Sequence, residues 1–96
     1  MLAANNWNVV QYAVLTMMMA QVSGLEPGEF MHVIADAHIY DRHVPAIEKI
    51  IANEPKAAPT FHIDPGVDDF YKFTRDSFTM ENYQFSEFTD KIPVAL

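Results

Sequence analysis

The stretch VVQYAVLTMMMAQV, from Val9 to Val22, is a nearly continuous apolar run in a chain of 96 residues. Polar side chains interrupt it at Gln11, Thr16 and Gln21. At 3.6 residues per turn, the apolar side chains surround the whole helix instead of forming one stripe. Such a pattern is typical of a helix that is buried on every side.

Both ends of this predicted helix carry sequence signals. Asn6 or Asn8 can cap its first turn, because a short amide side chain accepts hydrogen bonds from free backbone N–H groups. Gly24 stands where a glycine commonly ends a helix, and a Pro-Gly turn follows. The apolar run is shorter than the roughly 20 residues that cross a bilayer, so the sequence predicts no membrane span and no membrane partner.

Burial of this helix on every side is demanding for so short a chain. About three or four flanking elements must surround such a helix, because each covers only part of its circumference. The remaining sequence barely supplies them. We therefore expect either that a partner chain covers the helix or that these residues belong to something larger.

The segment EFMHVIADAHIY, from Glu29 to Tyr40, is the next predicted element. We predict a strand, on which side chains alternate between two faces. Asp36, His38 and Tyr40 then share one face. Two interpretations fit this pattern: an edge strand that faces water, or a face whose hydrogen-bonding groups bind a polar ligand.

The rest of the chain supplies short elements. Proline and aromatic spacing predicts a helix, a strand, a helical turn and a second strand, over residues 41–53, 60–64, 68–71 and 77–83. The predicted fold class is α+β, with a buried helix packed on a small mixed or antiparallel sheet. We expect residues 1–96 to form a single unit.

Charge and cysteine content exclude several classes of function. Thirteen Asp and Glu against six Lys and Arg give a net charge of −7, and no basic run is present, which argues against a nucleic-acid polymer as partner. A single nucleotide is not excluded as a ligand, because one or two cations are enough to bind it. The sequence has no cysteine, which excludes disulfides, thiolate metal sites and a cysteine nucleophile. No cationic stretch precedes the first apolar run, so we expect a cytoplasmic location.

Other catalytic and metal sites are poorly supported. His38 and His43 lie five residues apart across a strand end, a spacing that fixes no metal-ligand geometry, so we predict no metal site. Ser23, Ser77 and Ser86 lie in no context that activates a serine nucleophile. The polar face of Asp36, His38 and Tyr40 is the remaining candidate site.

Several motifs, in order and with matching separation, resemble the C-terminal third of thymidylate synthase. The family's Asn-Ile-Ala-Ser-Tyr-Ala corresponds to NVVQYA at residues 8–13, and its Asp-x-His-x-Tyr-x-x-His corresponds to DAHIYDRH at residues 36–43. The pair Glu54-Pro55 and the ending PVAL at residues 93–96 also fit that family. The resemblance covers the whole chain.

The resemblance implies a nucleotide site. Thymidylate synthases methylate deoxyuridine monophosphate (dUMP) and take the one-carbon unit and a hydride from 5,10-methylenetetrahydrofolate. Asn8 matches the asparagine that pairs with uracil, while His38 and Tyr40 match the pair that binds the deoxyribose 3′-hydroxyl. Trp7 replaces a phenylalanine of the folate site, and Ala95 belongs to a tail that folds over the folate. On this basis the ligand-binding interpretation of the polar face is favoured.

Departures from the family pattern limit what the chain can do. The family's catalytic cysteine has no counterpart, and Ala4, Gln11 and Ala35 replace a glycine, a serine and a glycine. We therefore expect a portion of a thymidylate synthase that is inactive alone, binds folate weakly alone, and self-associates as a homo-oligomer. The alternatives are a non-catalytic nucleotide-binding or dimerisation module, or part of a pyrimidine hydroxymethylase. Asn8 argues against a cytosine-specific hydroxymethylase.

Overall fold

The structure, a computed structural model, describes residues 1–94. It contains two α-helices, α1 (Asn5–Val22) and α2 (Val44–Ile51), and two strands, β1 (Thr60–Ile63) and β2 (Phe78–Glu81). The strands pair as an antiparallel ribbon. The predicted α+β class is confirmed.

Helix α1 starts earlier than predicted and ends where predicted. Its N-cap is Ala4, which has no capping side chain, so the proposed caps Asn6 and Asn8 are wrong because both lie inside the helix. At the other end Gly24 adopts a φ of 66°, and the N–H of Leu25 donates to the oxygen of Ala20 over 2.9 Å. This left-handed turn is the one that glycine adopts without strain.

Helix α1 is not buried on every side within this chain, in agreement with the expectation that its cover comes from a partner chain or a larger protein. Ala20 is the one buried apolar residue among residues 1–94, whereas Trp7 is 79% exposed, Tyr12 56% and Met19 49%. The less exposed side of the helix carries Val9 and Ala20, which lie on one face about three turns apart. The opposite side faces solvent because too few neighbouring elements surround it. Neither helix in this part of the chain has the length and apolar character needed to cross a membrane.

The overall dimensions agree with this exposure. The Cα radius of gyration is 16.7 Å and the extents are 45 × 31 × 22 Å. A compact domain of this length has a radius of gyration of about 12.5 Å. The residues therefore spread over a surface instead of closing around a core of their own. That residues 1–96 form a single unit stays a prediction.

The strand predicted over residues 29–40 is wrong. This segment is irregular, exposed throughout and bent at Ala35 and Asp36. A strand is stabilised by the hydrogen bonds of a paired neighbour, and within residues 1–94 the only paired strands are β1 and β2. Alternating side chains alone do not create that partner.

Helix α2 follows this segment through a tight turn. A 3₁₀ turn over Asp41–His43 leads into the helix, Pro45 occupies its first turn, and the helix ends at Ile51, two residues before the predicted end. The predicted helix over residues 41–53 is thus confirmed in position and shortened at both ends.

The two strands and an aromatic cluster form the other half of the structure. Phe61 of β1 stacks on Phe78 of β2 at 6.2 Å between ring centroids, and Phe73 stacks on Phe78 at 5.7 Å. The predicted helical turn is present as a 3₁₀ turn over Phe70–Lys72, preceded by Asp69, whose carboxylate accepts from the N–H of Tyr71. These rings, not a large sheet, hold this half together.

One polar side chain joins α1 to the half of the structure that contains β1 and β2. The amide nitrogen of Gln21, near the end of α1, donates to the backbone oxygens of Asp64 and Val67, both at 2.8 Å. A helix residue that looked like a break in an apolar run therefore anchors α1 to the loop after β1.

Candidate functional site

His38 and Tyr40 lie together on the irregular segment before α2. Their ring centroids are 5.1 Å apart with the planes at 84°, an edge-to-face contact. The Nδ1 atom of His38 is 3.1 Å from the backbone oxygen of Asp36 and 3.3 Å from its carboxylate. Asp36 thus fixes one side of the imidazole and leaves Nε2 for a ligand. The three residues predicted to form one polar face lie close together although the segment is not a strand.

This pair is accessible to a ligand. Tyr40 is 47% exposed and the side chain of His38 is 48% exposed. A phenol both donates and accepts hydrogen bonds, and an imidazole nitrogen does one or the other according to its tautomer. The pair can therefore satisfy a hydroxyl group, which has one hydrogen to donate and lone pairs to fill.

Tyr40 also contacts a third ring, that of His43. The centroid of His43 lies 5.4 Å from that of Tyr40, again at 84°. His43 is buried, with 7% of its surface exposed, and its Nε2 atom donates to the backbone oxygen of Pro93 over 2.7 Å. The neighbouring Arg42 donates from Nη1 to the oxygen of Val94 over 2.9 Å. Contacts among the rings of His38, Tyr40 and His43 thus connect the exposed His38 with the end of the described chain.

This anchoring by Arg42 and His43 was not predicted. The one sequence signal was the last histidine of the DAHIYDRH motif, which we had weighed only as a possible metal ligand. Among residues 1–94 no three His, Asp or Glu side chains cluster as a metal site would require. The ring of Tyr40 contacts both histidines.

Asn8 lies near the start of α1, with its side chain exposed. Two contacts join this end of the helix to the segment that carries His38: the N-terminal amine donates to the oxygen of His38 over 3.3 Å, and His32 Nε2 donates to Asn5 Oδ1 over 3.0 Å. Asn5 and Asn8 are neighbours on one helical face, because residues three apart lie one turn above each other. The predicted uracil contact is therefore at the end of α1 that meets the predicted sugar contacts.

Of the two residues predicted to contact folate, the structure describes only Trp7. Trp7 is 79% exposed on the first turn of α1 and presents a large flat ring to solvent. Ala95 lies outside the described residues. Its role at the folate site stays a prediction.

The charges near the site are few. Arg42 is the one cation between residues 29 and 47, and it donates to the tail carbonyl. A nucleotide phosphate is bound by several cationic or N–H donors. The chain therefore presents groups suited to a base and a sugar, whereas a phosphate would need donors from elsewhere.

Comparisons with known proteins agree with these features. The family model described as thymidylate synthase matches residues 1–96. Among solved structures, the chain is similar to thermostable thymidylate synthase A from Bacillus subtilis, with 39% sequence identity and a TM-score of 0.91. The match covers 96% of this chain and 33% of that one, so the chain spans about a third of that protein's length.

Proposed function

The chain belongs to the thymidylate synthase family, and on this premise we propose that it supplies the nucleotide-base, sugar and part of the folate site of a thymidylate synthase. The reaction is the reductive methylation of dUMP to thymidylate. The observation that carries the proposal is the exposed edge-to-face pair of His38 and Tyr40, 5.1 Å apart, beside the end of α1 that bears Asn8.

His38 and Tyr40 bind the 3′-hydroxyl of the deoxyribose. Asp36 holds the Nδ1 side of His38, so that Nε2 meets the sugar, and the phenol of Tyr40 provides the second hydrogen bond. Together they satisfy a hydroxyl that would otherwise lose its water partners on binding. An unsatisfied polar group of this kind costs about 1–3 kcal/mol.

Asn8 selects the base. Its carboxamide offers a donor and an acceptor side by side, and uracil presents the complementary carbonyl and ring N–H. Cytosine presents an amine and an unprotonated ring nitrogen at the same edge, so it matches the amide less well. This preference supports a uracil nucleotide over a cytosine nucleotide.

The residues of this chain suit a folate on one side. Trp7 presents an exposed flat ring, and stacking on such a ring is the contact that a pterin makes well. Ala95 contributes from the tail. When bound, the folate supplies the one-carbon unit and the hydride. The role of this chain is to stack against the cofactor and to limit the access of water.

The nucleophile is not in this chain. Attack at C6 of the pyrimidine requires a thiolate, and none of the 96 residues is a cysteine. The thiol and the phosphate-binding cations must come from other segments of the active protein, which we propose to be a homodimer like the rest of its family. We therefore propose that this chain has no activity alone. Its expected cytoplasmic location stays a prediction.

A chimera tests the proposal. The third of the Bacillus subtilis enzyme that matches this chain is replaced by residues 1–96, and thymidylate formation from dUMP and methylenetetrahydrofolate is measured. We expect turnover, and we expect His38→Leu to weaken dUMP binding by about tenfold, the loss of one satisfied hydrogen bond. The matched control is His62→Leu, an exposed histidine on β1 outside the site.

Other outcomes would replace the proposal. A folded chimera that binds dUMP without turning it over would indicate a non-catalytic nucleotide-binding module. A product hydroxymethylated at C5 would indicate a pyrimidine hydroxymethylase. A folded dimeric chimera that binds no pyrimidine nucleotide would contradict the assignment of the site altogether.

A further inference from the structure

Two adjacent residues hold two adjacent carbonyls at the end of the described chain. Arg42 binds the oxygen of Val94 and His43 binds that of Pro93, across about fifty residues of sequence. Each donor lies directly after the segment that carries Tyr40. We propose that His43 is a positioning residue that couples the sugar contact at Tyr40 to the order of the segment 89–94, an inference that rests on the proposed function.

The hydrogen bond of His43 is well placed to hold this segment. Its imidazole is 7% exposed, so the bond to Pro93 is shielded from competing water. Proline has no backbone N–H, so the carbonyl is the one backbone group through which this residue can be held. Pro93 itself is exposed, so water replaces a lost donor and the segment's opening equilibrium shifts by up to about tenfold.

The coupling passes through the ring of Tyr40. The centroid of this ring lies 5.1 Å from that of His38 and 5.4 Å from that of His43, each in an edge-to-face contact. Tyr40 is 47% exposed, so its ring has freedom to move until its hydroxyl is held by a sugar. A bound sugar that immobilises Tyr40 also restricts the motion of His43, which contacts it. Less conformational entropy is then lost when segment 89–94 becomes ordered.

Thermodynamic linkage makes this effect reciprocal. If the nucleotide stabilises the bond between His43 and Pro93, then an ordered segment 89–94 strengthens nucleotide binding by the same factor. The segment beside the proposed folate contact at Ala95 would therefore be ordered by the sugar of the nucleotide as well as by the folate.

The test uses the chimera and measures hydrogen exchange of segment 89–94 with and without dUMP. We expect dUMP to slow the exchange by about tenfold in the unmodified chimera. His43→Phe keeps a ring beside Tyr40 but removes the donor, so exchange is fast in both states. His43→Gln keeps an N–H donor but removes the ring, so exchange without nucleotide stays slow and the further slowing by dUMP is lost.

Kinetics give a second readout that general destabilisation would not reproduce. For His43→Phe we expect the KM for methylenetetrahydrofolate to rise about tenfold, whereas kcat at saturating folate changes much less, because bound folate itself orders the segment. His43→Gln should raise this KM by a smaller factor, because it keeps the donor and loses only the part of the order that dUMP adds. Equal losses in kcat and KM for both variants would contradict a positioning role.

Lys49→Gln is the matched control. It removes the ion pair between Lys49 and Asp90, a second contact to the same segment that lies away from Tyr40. Exchange should become faster by the same factor with and without dUMP, so the ratio stays unchanged. The coupling is overturned if this control loses the dUMP effect as His43→Gln does, or if His43→Gln retains it.

Failure of the proposed function is separable from failure of this inference. If the unmodified chimera binds no dUMP, the proposed function fails and the coupling fails with it. In that case the hydrogen bond between His43 and Pro93 is still tested by comparing the exchange rates of segment 89–94 without nucleotide. Equal rates in His43→Phe and the unmodified chimera would overturn it.

Discussion

The amide nitrogen of Gln21 lies 2.8 Å from the backbone oxygen of Asp64, 43 residues further along the chain. The same nitrogen lies 2.8 Å from the oxygen of Val67, so both hydrogens of one side-chain amide are used in a single loop. This contact decides how α1 is seated on the half of the structure that contains β1 and β2.

Gln21→Leu should therefore destabilise the chimera although it adds apolar surface. Two carbonyls lose their shared donor, and the expected cost is about 1–3 kcal/mol in the free energy of unfolding. Denaturant unfolding measures it. Gln11→Leu, on the exposed side of the same helix, is the control and should change the free energy by less than about 0.5 kcal/mol. Similar effects of the two substitutions would contradict an anchoring role for Gln21.

Asn8→Asp should change the base preference of the chimera. A carboxylate no longer donates to the uracil carbonyl, but it accepts from the exocyclic amine of cytosine. We expect the affinity ratio of dUMP to deoxycytidine monophosphate to fall by about tenfold or more. Calorimetric titration with both nucleotides gives the ratio, and Asn6→Asp on the same turn is the control. An unchanged ratio would reject the role of Asn8.

The isolated chain should form no covalent complex with 5-fluoro-deoxyuridine monophosphate and methylenetetrahydrofolate. The reason is chemical: the sequence has no thiol to attack C6. Intact-mass spectrometry after incubation shows whether an adduct forms, and the Bacillus subtilis enzyme is the positive control. A stable adduct on the isolated chain would mean that another side chain serves as nucleophile, which would sink the proposal that the nucleophile lies elsewhere.

Exposed apolar surface on α1 should make the isolated chain self-associate. Tyr12, Leu15 and Met19 follow one another at helical spacing and are 56%, 37% and 49% exposed. A stripe of this kind is rarely left open in a soluble monomer. Light scattering over a dilution series should show association that Leu15→Gln weakens and Met31→Gln does not, because Met31 is exposed on a different segment. A compact monomer at low micromolar concentration would show that the stripe needs no cover.

The sequence predicted local structure well where local interactions decide it. The end of α1 at Gly24 depends on one glycine in a left-handed turn, and the start of α2 depends on Pro45 in its first turn. Both are visible in the sequence. The start of α1 was missed because its N-cap is Ala4, which has no capping side chain that a sequence pattern could reveal.

Features that depend on distant partners were harder to predict. The segment 29–40 alternates like a strand but has no paired neighbour among residues 1–94, so it is irregular. The motif did predict that His38 and Tyr40 lie side by side, and their ring centroids are 5.1 Å apart. The bond between His43 and Pro93 spans 50 residues, and no local pattern encodes such a contact.

The irregular segment has a consequence for proteolysis. Residues 29–40 are exposed throughout and lie outside any helix or strand, the features that protease cleavage requires. A cut between Glu29 and His32 would leave Gln21 bound to Asp64 and Val67 across the break for as long as the two parts stay associated. A nicked chain separates into two bands after denaturation. A denaturing gel should therefore show that the chain is intact before any binding measurement is interpreted.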